Sequence, residues 1–338
     1  MGDVLLQGPA IRALAASSRR VTLLAGPQGA PAAELLPGVD EVITFRAPWI
    51  DPEPEPVDAS QVEELVGRVR ALAPDVAILF TSFHQSPLPL ALLLRVAEVP
   101  RVGAISEDYP GALLDVRHQV PDDVHEVERA LSLAEAMGFS PPPGDDLRLR
   151  LRARGRRPAA LGDRDGYVVL HVGASAPARA WPGRRFAELA ELLIRRGDRV
   201  VVTGGRGEVR LAHEVAGEVP AVVSLAGKTD LAELAAVLAG ARAVVSANTG
   251  PAHLAAAVGV PVVSLFAPVV PSARWRPWSV PHVLLGDQQA ACAGTRARDC
   301  PVPGHPCLSE VTALDVAAAV EHLSHGHPEK ASVAEMTT

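Results

Sequence analysis

Short apolar runs alternate with amphipathic stretches along the chain. The apolar runs predict β-strands, and apolar residues at helical spacing between them predict α-helices. Because each run is apolar at consecutive positions, the strands should be buried on both faces of a parallel sheet. In the first half, strands are predicted over 21–25, 41–45, 75–80 and 101–105, and helices over 5–16, 61–73, 89–97 and 124–137.

The alternation is interrupted once and then resumes. The run 141–144, Pro-Pro-Pro-Gly, precedes an arginine-rich stretch over 148–157, and together they indicate a connection between two domains. The arginines are typical of a solvated linker, and contact with an anionic ligand is the alternative. Beyond it, strands are predicted over 167–171, 199–203, 221–225, 243–246 and 260–266, and helices over 182–195, 207–216, 230–239, 249–257 and 313–323.

This order of elements predicts an α/β protein built from two Rossmann-like, doubly wound parallel-sheet domains. We expect the first domain over 1–155, the second over 156–324, and a flexible polar tail over 325–338. A ligand is expected at the carboxyl ends of the strands and in a cleft between the domains.

The first domain lacks the strand that should open it. The chain enters directly at Gly2-Asp3, a turn into a helix, with no apolar run before it. Since the first strand of a doubly wound sheet is central, we expect an unpaired gap in that sheet. A start set too late in the sequence is the favoured interpretation, and an incomplete domain is the alternative.

Composition narrows the class of protein. With 338 residues, 48% hydrophobic and 21% charged, the chain is typical of a globular protein. It shows no apolar run of membrane-spanning length and no signal-peptide pattern, so a cytoplasmic location is expected. The net charge of −7 argues against nucleic acid as a partner. Three cysteines near the end of the chain do not form a disulfide framework.

Two residue types are almost absent. Lysine occurs only at Lys228 and Lys330, and asparagine only at Asn248. The codon bias of a GC-rich genome explains this rarity. It nevertheless draws attention to Lys228 and Asn248, both of which fall in turns that carry candidate chemistry.

The clearest candidate is the strand-to-helix turn that runs from Ser246 to His253 and contains Asn248, Thr249 and Gly250. Small residues at such a turn let a ligand approach the backbone. The helix that follows offers unpaired N–H groups and a partial positive charge to an anion. The turn therefore predicts phosphate binding, with an ordinary helix cap by Asn248 or Thr249 as the alternative.

Three further turns have the same character. Arg179, after Ser175, is placed to bind a diphosphate. Glu208 follows a turn with three glycines, Gly204, Gly205 and Gly207, and it either caps its helix or accepts hydrogen bonds from a ribose diol. Trp181 is interpreted as a core anchor. Across all four turns, the residues predicted to bind a nucleotide are Ser175, Arg179, Glu208, Lys228, Thr229, Asn248, Thr249, Gly250 and His253.

Seven segments in this order carry a family resemblance: Met1–Leu6, Gly173–Ser175, Trp181-Pro182, Thr203-Gly204, Leu225–Gly227, Asn248–Ala255 and Leu265–Pro268. Together they resemble glycosyltransferase family 9, the bacterial ADP-heptose:lipopolysaccharide heptosyltransferases. The resemblance implies a GT-B fold, with the acceptor-side domain first and the nucleotide-sugar domain second. It implies transfer of heptose or a related sugar, with inversion, from a nucleotide-diphosphate donor in which the sugar is linked to ADP. The implied acceptor is a hydroxyl of a glycan, a lipid or a small molecule.

The same resemblance implies residue roles. Asp3 would be the general base that takes the proton of the acceptor hydroxyl. Arg179 would contact phosphate, and Thr249 with Gly250 would stabilise charge on the leaving diphosphate. Glu208 and Thr229 would hold ribose and base, and His253 matches a family histidine. The resemblance implies no metal and no cofactor. We expect a monomer, and peripheral association with a membrane is left open.

Two departures from the family pattern stand out. The family has Asp where this chain has Asn248, which we expect to alter contacts with sugar hydroxyls and so the choice of donor. Asp3 would follow directly on the absent first strand, which in the family holds it in position. Catalysis by a chain that starts at Met1 is therefore in question.

Some features leave alternatives open. His84 and Arg117 are acceptor-side candidates, with structural hydrogen bonding as the equal alternative. Cys292, Cys300, Cys307 and His305 are conceivable zinc ligands, but their spacing fits no standard module and free thiols are favoured. A sugar-nucleotide epimerase of GT-B architecture and a non-catalytic sugar-nucleotide-binding protein are the competing functions. The absence of a Gly-x-Gly-x-x-Gly fingerprint disfavours an NAD-dependent oxidoreductase.

Overall fold

The computed structural model describes residues 1–51, 53–82, 85–217 and 221–325. The chain divides into two units between Leu147 and Arg148, with Gly2 grouped with the second unit. The sequence-based boundary at residue 155 lies a few residues further along. Of the predicted tail, residues 326–338 lie outside the described part of the chain.

The first unit alternates short parallel strands with helices. Its elements are α1 (Gly2–Leu6), α2 (Gly8–Ala15), β1 (Thr22–Ala25), α3 (Ala30–Ala33), β2 (Glu41–Thr44), α4 (Ala59–Leu72), β3 (Val76–Leu79), α5 (Leu88–Val96), β4 (Arg101–Ile105), β5 (Val116–His118) and α6 (Glu126–Ala136). The strands form two separate parallel sheets, β1-β2 and β3-β4-β5. The expected gap is therefore present, because no ladder among the described residues joins β1 to β3.

Local sequence explains where the helices of this unit begin. The helix predicted over 5–16 is two helices, because α2 restarts at Gly8-Pro9 and a proline suits a first helical turn but lacks the N–H of a helix interior. Asp58 caps α4 by accepting a hydrogen bond from Ser60 N. His125 and Glu128 form a capping box at the start of α6.

The second unit holds one six-stranded parallel sheet. Its elements are β6 (Tyr167–His171), α7 (Gly183–Arg195), β7 (Val200–Thr203), α8 (Val209–Ala216), β8 (Val222–Ser224), α9 (Leu231–Ala239), β9 (Ala241–Ala247), α10 (Gly250–Ala257), β10 (Val262–Leu265), α11 (Ser272–Trp275), β11 (His282–Leu285), α12 (Pro306–Ser309) and α13 (Ala313–His325). The strand order is β11-β10-β9-β6-β7-β8, so the first strand lies in the middle. This is the doubly wound arrangement that the sequence predicts.

The core of this unit explains its continuous apolar strands. Every residue of β6, β7 and β10 is buried, which requires cover on both faces of the sheet. Trp181 is buried with its ring edge-on to Phe186 at 4.8 Å between centroids, and its Nε1 donates to Val311 O at 3.1 Å. The interpretation of Trp181 as a core anchor is confirmed.

No helix within the described ranges combines the length and the apolarity that crossing a membrane requires.

Candidate functional site

The four predicted turns lie side by side at one edge of the second sheet. They follow β9, β6, β7 and β8, which are neighbours in that order, and parallel strands end at the same edge. Backbone hydrogen bonds join the turns: Val172 N donates to Thr203 O at 3.0 Å, and Gly227 N donates to Gly204 O at 2.9 Å. The sheet therefore brings together candidate binding residues that are spread over some 80 residues of sequence, from Gly173 to His253.

The turn after β9 is fixed by the side chain of Asn248. Its Nδ2 donates to Ala267 O and its Oδ1 accepts from Ala267 N, both at 3.3 Å. The side chain is buried, with 5% of its residue surface exposed. Asn248 thus uses both ends of its amide to hold this turn against the segment that follows β10.

Helix α10 presents its N-terminus at this edge. Thr249 is the residue before the helix, and its hydroxyl makes no capping hydrogen bond. Thr249 N donates to Ala247 O and Ala252 N donates to Thr249 O, whereas Pro251 has no N–H. The Thr249 hydroxyl makes a long hydrogen bond to Ala247 O at 3.5 Å, which a stronger acceptor can replace. Together with the Gly250 N–H, it is the donor of this turn best placed for an anionic ligand.

His253 is on the first turns of the same helix and is 4% exposed. Burial above all, with the positive charge of Arg179 acting in the same direction, lowers the pKa of its imidazole to about 4. Its Nδ1 has no hydrogen-bond partner among the described residues. His253 is therefore neutral at pH 7 and offers a ligand a hydrogen bond rather than a charge.

Arg179 supplies the positive charge at this edge. It lies half-buried in the turn after β6, and its Nη1 donates to Asn248 O at 3.4 Å. This contact joins the turn after β6 to the turn after β9. Ser175, in the same turn as Arg179, is exposed.

Glu208 lies over the glycines of two neighbouring turns. A Cβ atom added at Gly205 would lie 2.7 Å from Glu208 Oε2, and one added at Gly173 would lie 3.1 Å from Glu208 Cδ. Any side chain at these positions would crowd the carboxylate. Glu208 precedes α8 without a capping hydrogen bond from its side chain, so the predicted alternative of a helix cap is not what the geometry shows.

Lys228 and Thr229 are in the turn after β8, at the edge strand of the sheet. Lys228 is exposed, and its Nζ donates to Ser224 O at 3.1 Å. Thr229 is half-buried and precedes Asp230, which forms a capping box with Glu233 at the start of α9.

Sequence reasoning missed His171 as part of this edge. It ends β6 beneath Gly173, and its Nδ1 lies 3.0 Å from Thr203 Oγ1. Burial lowers the pKa of His171 to about 4. The available signal was a polar residue at the end of an otherwise apolar strand.

The acceptor-side candidates belong to the first unit. Asp3 is exposed in the first turn of α1. Arg117 is on β5, where its Nε donates to Ser106 O at 3.1 Å and a second nitrogen donates to Glu107 O. These contacts give Arg117 the structural hydrogen bonding that the sequence left as an alternative. His84 lies outside the described residues.

The cysteine-bearing segment braces the turn after β6. Ala178 N donates to Arg298 O at 2.8 Å, and His305 Nε2 lies 3.1 Å from Ala178 O. Cys292 and Cys307 are buried in the core, and burial, with Cys292 nearby, raises the pKa of Cys307 to about 12. Over the part of the chain that is described, no group of three or more His, Cys, Asp or Glu could hold a metal ion.

The protein has two parallel α/β units. In one of them, glycine-rich turns and a helix N-terminus lie at the carboxyl ends of the strands. These features define the doubly wound class of ligand-binding proteins. The family model for glycosyltransferase family 9 (heptosyltransferase) matches residues 65–305, which is more than half of the chain. The chain belongs to glycosyltransferase family 9, as the resemblance implied.

Relatives and solved structures agree with this assignment. Over an alignment of 198 residues, the chain is 32% identical to lipopolysaccharide heptosyltransferase 3 of Escherichia coli. The alignment covers 57% of this chain and 55% of that protein. The chain thus spans about half the length of the curated relatives it matches.

The fold is of the GT-B type found in solved relatives. A family 9 glycosyl transferase from Veillonella parvula superposes with a TM-score of 0.75 at 20% identity, covering 96% of this chain and 94% of that one. The Escherichia coli heptosyltransferase WaaC with ADP superposes with a TM-score of 0.69 at 22% identity, covering 95% and 96%.

Proposed function

We propose that the chain is an inverting, metal-independent glycosyltransferase that moves heptose or a related sugar from an ADP-linked donor to an acceptor hydroxyl. The observation that carries the proposal is the row of four turns at one edge of the second sheet. Family membership supports the transfer of a sugar. The ADP bound in the similar WaaC structure and the lipopolysaccharide heptosyltransferases among the relatives support the choice of donor and a glycan acceptor.

The edge supplies two sources of positive potential to a diphosphate. The Arg179 guanidinium carries a full charge, and the N-terminus of α10 adds a partial charge with the Gly250 N–H and the Thr249 hydroxyl. Because His253 and His171 are neutral at pH 7, neither competes with Arg179 for this role. As the bond to the sugar breaks, negative charge grows on the diphosphate, and these groups stabilise it without a metal ion.

The remaining residues would recognise the nucleoside and activate the acceptor. The Glu208 carboxylate, held over Gly173 and Gly205, accepts the two hydrogen bonds that a ribose diol can donate. Thr229 and Lys228 extend the row toward the edge strand. In the proposed reaction Asp3 takes the proton of the acceptor hydroxyl as its oxygen attacks the anomeric carbon, and ADP leaves from the opposite face.

Binding of ADP tests the donor half of the proposal. Arg179→Ala should weaken ADP binding about 10- to 100-fold in isothermal titration, since a charge-assisted hydrogen bond contributes about 1.5–3 kcal/mol. The matched control is Arg210→Ala, which removes an arginine that is 91% exposed on α8 and should leave ADP binding unchanged. Equal affinity of the Arg179→Ala variant and the parent protein would contradict the proposed donor site.

Release of ADP from ADP-heptose tests the transfer itself. Release should depend on an added acceptor, should survive EDTA, and should yield a product whose anomeric configuration is opposite to that of the donor. Asp3→Asn should lower the rate by at least about 100-fold while ADP affinity is kept. Turnover of the donor sugar without any acceptor would instead indicate an epimerase.

A further inference from the structure

Two polar side chains flank the side of Gly173 on which any other residue would carry a side chain. A Cβ atom added at Gly173 would lie 3.1 Å from His171 Nε2 and 3.2 Å from Glu208 Oε1. Because glycine has no Cβ, a small space is left there between an imidazole and a carboxylate. We call this space the Gly173 recess.

Backbone conformation does not require a glycine at this position or at the neighbouring Gly205. Neither residue has a positive φ, so other residues could adopt the same backbone. What the two glycines share is the carboxylate of Glu208, since a Cβ at Gly205 would lie 2.7 Å from Glu208 Oε2. One glycine therefore leaves room beside Oε1 and the other beside Oε2.

His171 is held so that a single ring nitrogen faces the recess. The residue is 8% exposed at the end of β6, and its Nδ1 lies 3.0 Å from Oγ1 of the fully buried Thr203. Its Nε2 makes no hydrogen bond to another described residue. Burial keeps the pKa of His171 at about 4, so the ring is neutral at pH 7 and carries one N–H.

The surroundings of the ring decide which nitrogen carries this proton. A carboxylate accepts hydrogen bonds and donates none, so an N–H at Nε2 is attracted to Glu208 whereas a lone pair there would be repelled. The Thr203 hydroxyl is able to donate to Nδ1. The proton therefore belongs on Nε2, where it faces the recess.

A donor on one side of the recess and an acceptor on the other suit one kind of ligand group. A hydroxyl accepts a hydrogen bond through its oxygen and donates one through its hydrogen, so it satisfies both His171 and Glu208. A phosphate oxygen carries the same sign of charge as the Glu208 carboxylate and is disfavoured. An apolar group would leave both protein atoms unsatisfied.

Given the proposed function, in which Glu208 binds the ribose diol, we propose that His171 and Glu208 bind one hydroxyl of that diol between them in the Gly173 recess. His171 Nε2 donates to the hydroxyl oxygen, and Glu208 Oε1 accepts its hydrogen. Glu208 Oε2, beside Gly205, accepts from the second hydroxyl. A deoxynucleotide leaves the two protein atoms at the recess without their partner, so His171 makes the site selective for ribonucleotides.

The first test compares the dissociation constants of ADP, 2′-deoxy-ADP and 3′-deoxy-ADP in isothermal titration. The parent protein should bind at least one of the deoxynucleotides about 10-fold more weakly than ADP. His171→Asn keeps an amide at the place of Nδ1 but has no group at the place of Nε2, so this ratio should fall at least about 5-fold. His171→Gln places an amide N–H near the position of Nε2 and should restore the ratio. His213→Asn, at an exposed position of α8, is the matched control and should keep the ratio of the parent.

Gly173→Ala tests the recess with His171 left in place. Its methyl group occupies the space that the hydroxyl needs, so the affinity for ADP should fall about 10-fold while the affinity for the disfavoured deoxynucleotide changes little. This variant keeps the proposal testable if His171→Asn does not fold. Gly67→Ala, which has open space around it on α4, should change neither affinity.

Three results would overturn the proposal: equal binding of all three nucleotides by the parent protein, an unchanged ratio in His171→Asn, or an unchanged ratio in Gly173→Ala. In each of them ADP still binds, so the proposed function stands. If none of the three nucleotides binds to the parent protein, the proposed donor site is wrong and the role of His171 falls with it.

Discussion

At the scale of single residues, Asn248 shows what sequence can and cannot reveal. Its rarity and its place in a strand-to-helix turn drew attention to it, and the structure places it in the turn after β9. Sequence could not reveal that both ends of the amide bond to Ala267, because that contact joins two turns across the sheet. Its predicted influence on the choice of donor stays a prediction, and it would act through the position of the turn.

Replacing Asn248 by Asp should therefore lower stability. The carboxylate cannot donate to Ala267 O, and it places an oxygen beside that buried carbonyl, so the free energy of unfolding in urea should fall by about 1–3 kcal/mol. Gln289→Glu makes the same chemical change at an exposed position and should have little effect. Unchanged stability of Asn248→Asp would mean that the amide does not fix this turn.

The buried histidines predict a pH dependence with a definite sign. The folded-state pKa of His171 is about 4, below the ordinary 6.5, so between these values the unfolded chain binds the proton more readily. Its contribution to stability is complete above pH 6.5 and is lost as the pH falls toward 4, by up to roughly 3 kcal/mol. His171→Gln should remove this part of the pH dependence in urea titrations at pH 7 and pH 4.5, whereas His213→Gln, on the exposed side of α8, should not.

At the scale of elements, the strength of the apolar pattern decided what could be predicted. β6 and its neighbours could be predicted as strands from their continuous apolar runs, because they are buried on both faces of the sheet. β5, which is Val-Arg-His, was missed because an edge strand needs no continuous apolar run. β11, at the other sheet's edge, was missed although His282 is followed by Val-Leu-Leu, because that run is only three residues long. The division of the first helix at Gly8-Pro9 was also missed, since helical spacing continues across it.

Near the start of the second unit, the backbone at Gly155 packs against helix α9. Gly155 N donates to Ala232 O at 2.8 Å, and a Cβ at Gly155 would lie 2.5 Å from Glu233 N. Gly155→Ala should cost about 1–3 kcal/mol, measured by urea unfolding, because backbone atoms have to move. Gly67→Ala, in open space on α4, should be neutral or stabilising by up to about 1 kcal/mol, and a similar loss in both variants would contradict the docking.

At the scale of the whole molecule, the pattern of alternating elements was sufficient for the fold, and the gap in the first sheet followed from the rule that a first strand is central. What sequence could not supply is how deeply each strand is buried. The two units have separate hydrophobic clusters, one around β6 and one shared by β2, β3 and β4. Ligand binding to one unit should therefore stabilise that unit selectively.

The selective stabilisation of the second unit can be measured with ADP as the ligand. At 100 times its dissociation constant, ADP should raise the free energy of unfolding of the second unit by about 2.7 kcal/mol. The fluorescence of Trp181, in a variant with the other three tryptophans replaced by Phe, reports this unit. Trp49, kept alone in a second variant, reports the first unit and should show no shift. A shared shift would mean that the two units unfold together.

The brace formed by Ala178, Arg298 and His305 has a consequence for the kinetics of recognition. Because residues more than 100 positions away in sequence hydrogen-bond to the turn after β6, we expect that turn to keep the same conformation with and without a ligand. Little ordering entropy is then lost on association, and no slow rearrangement separates encounter from the bound state. A nucleotide should therefore associate with this edge in a single phase whose observed rate rises linearly with its concentration.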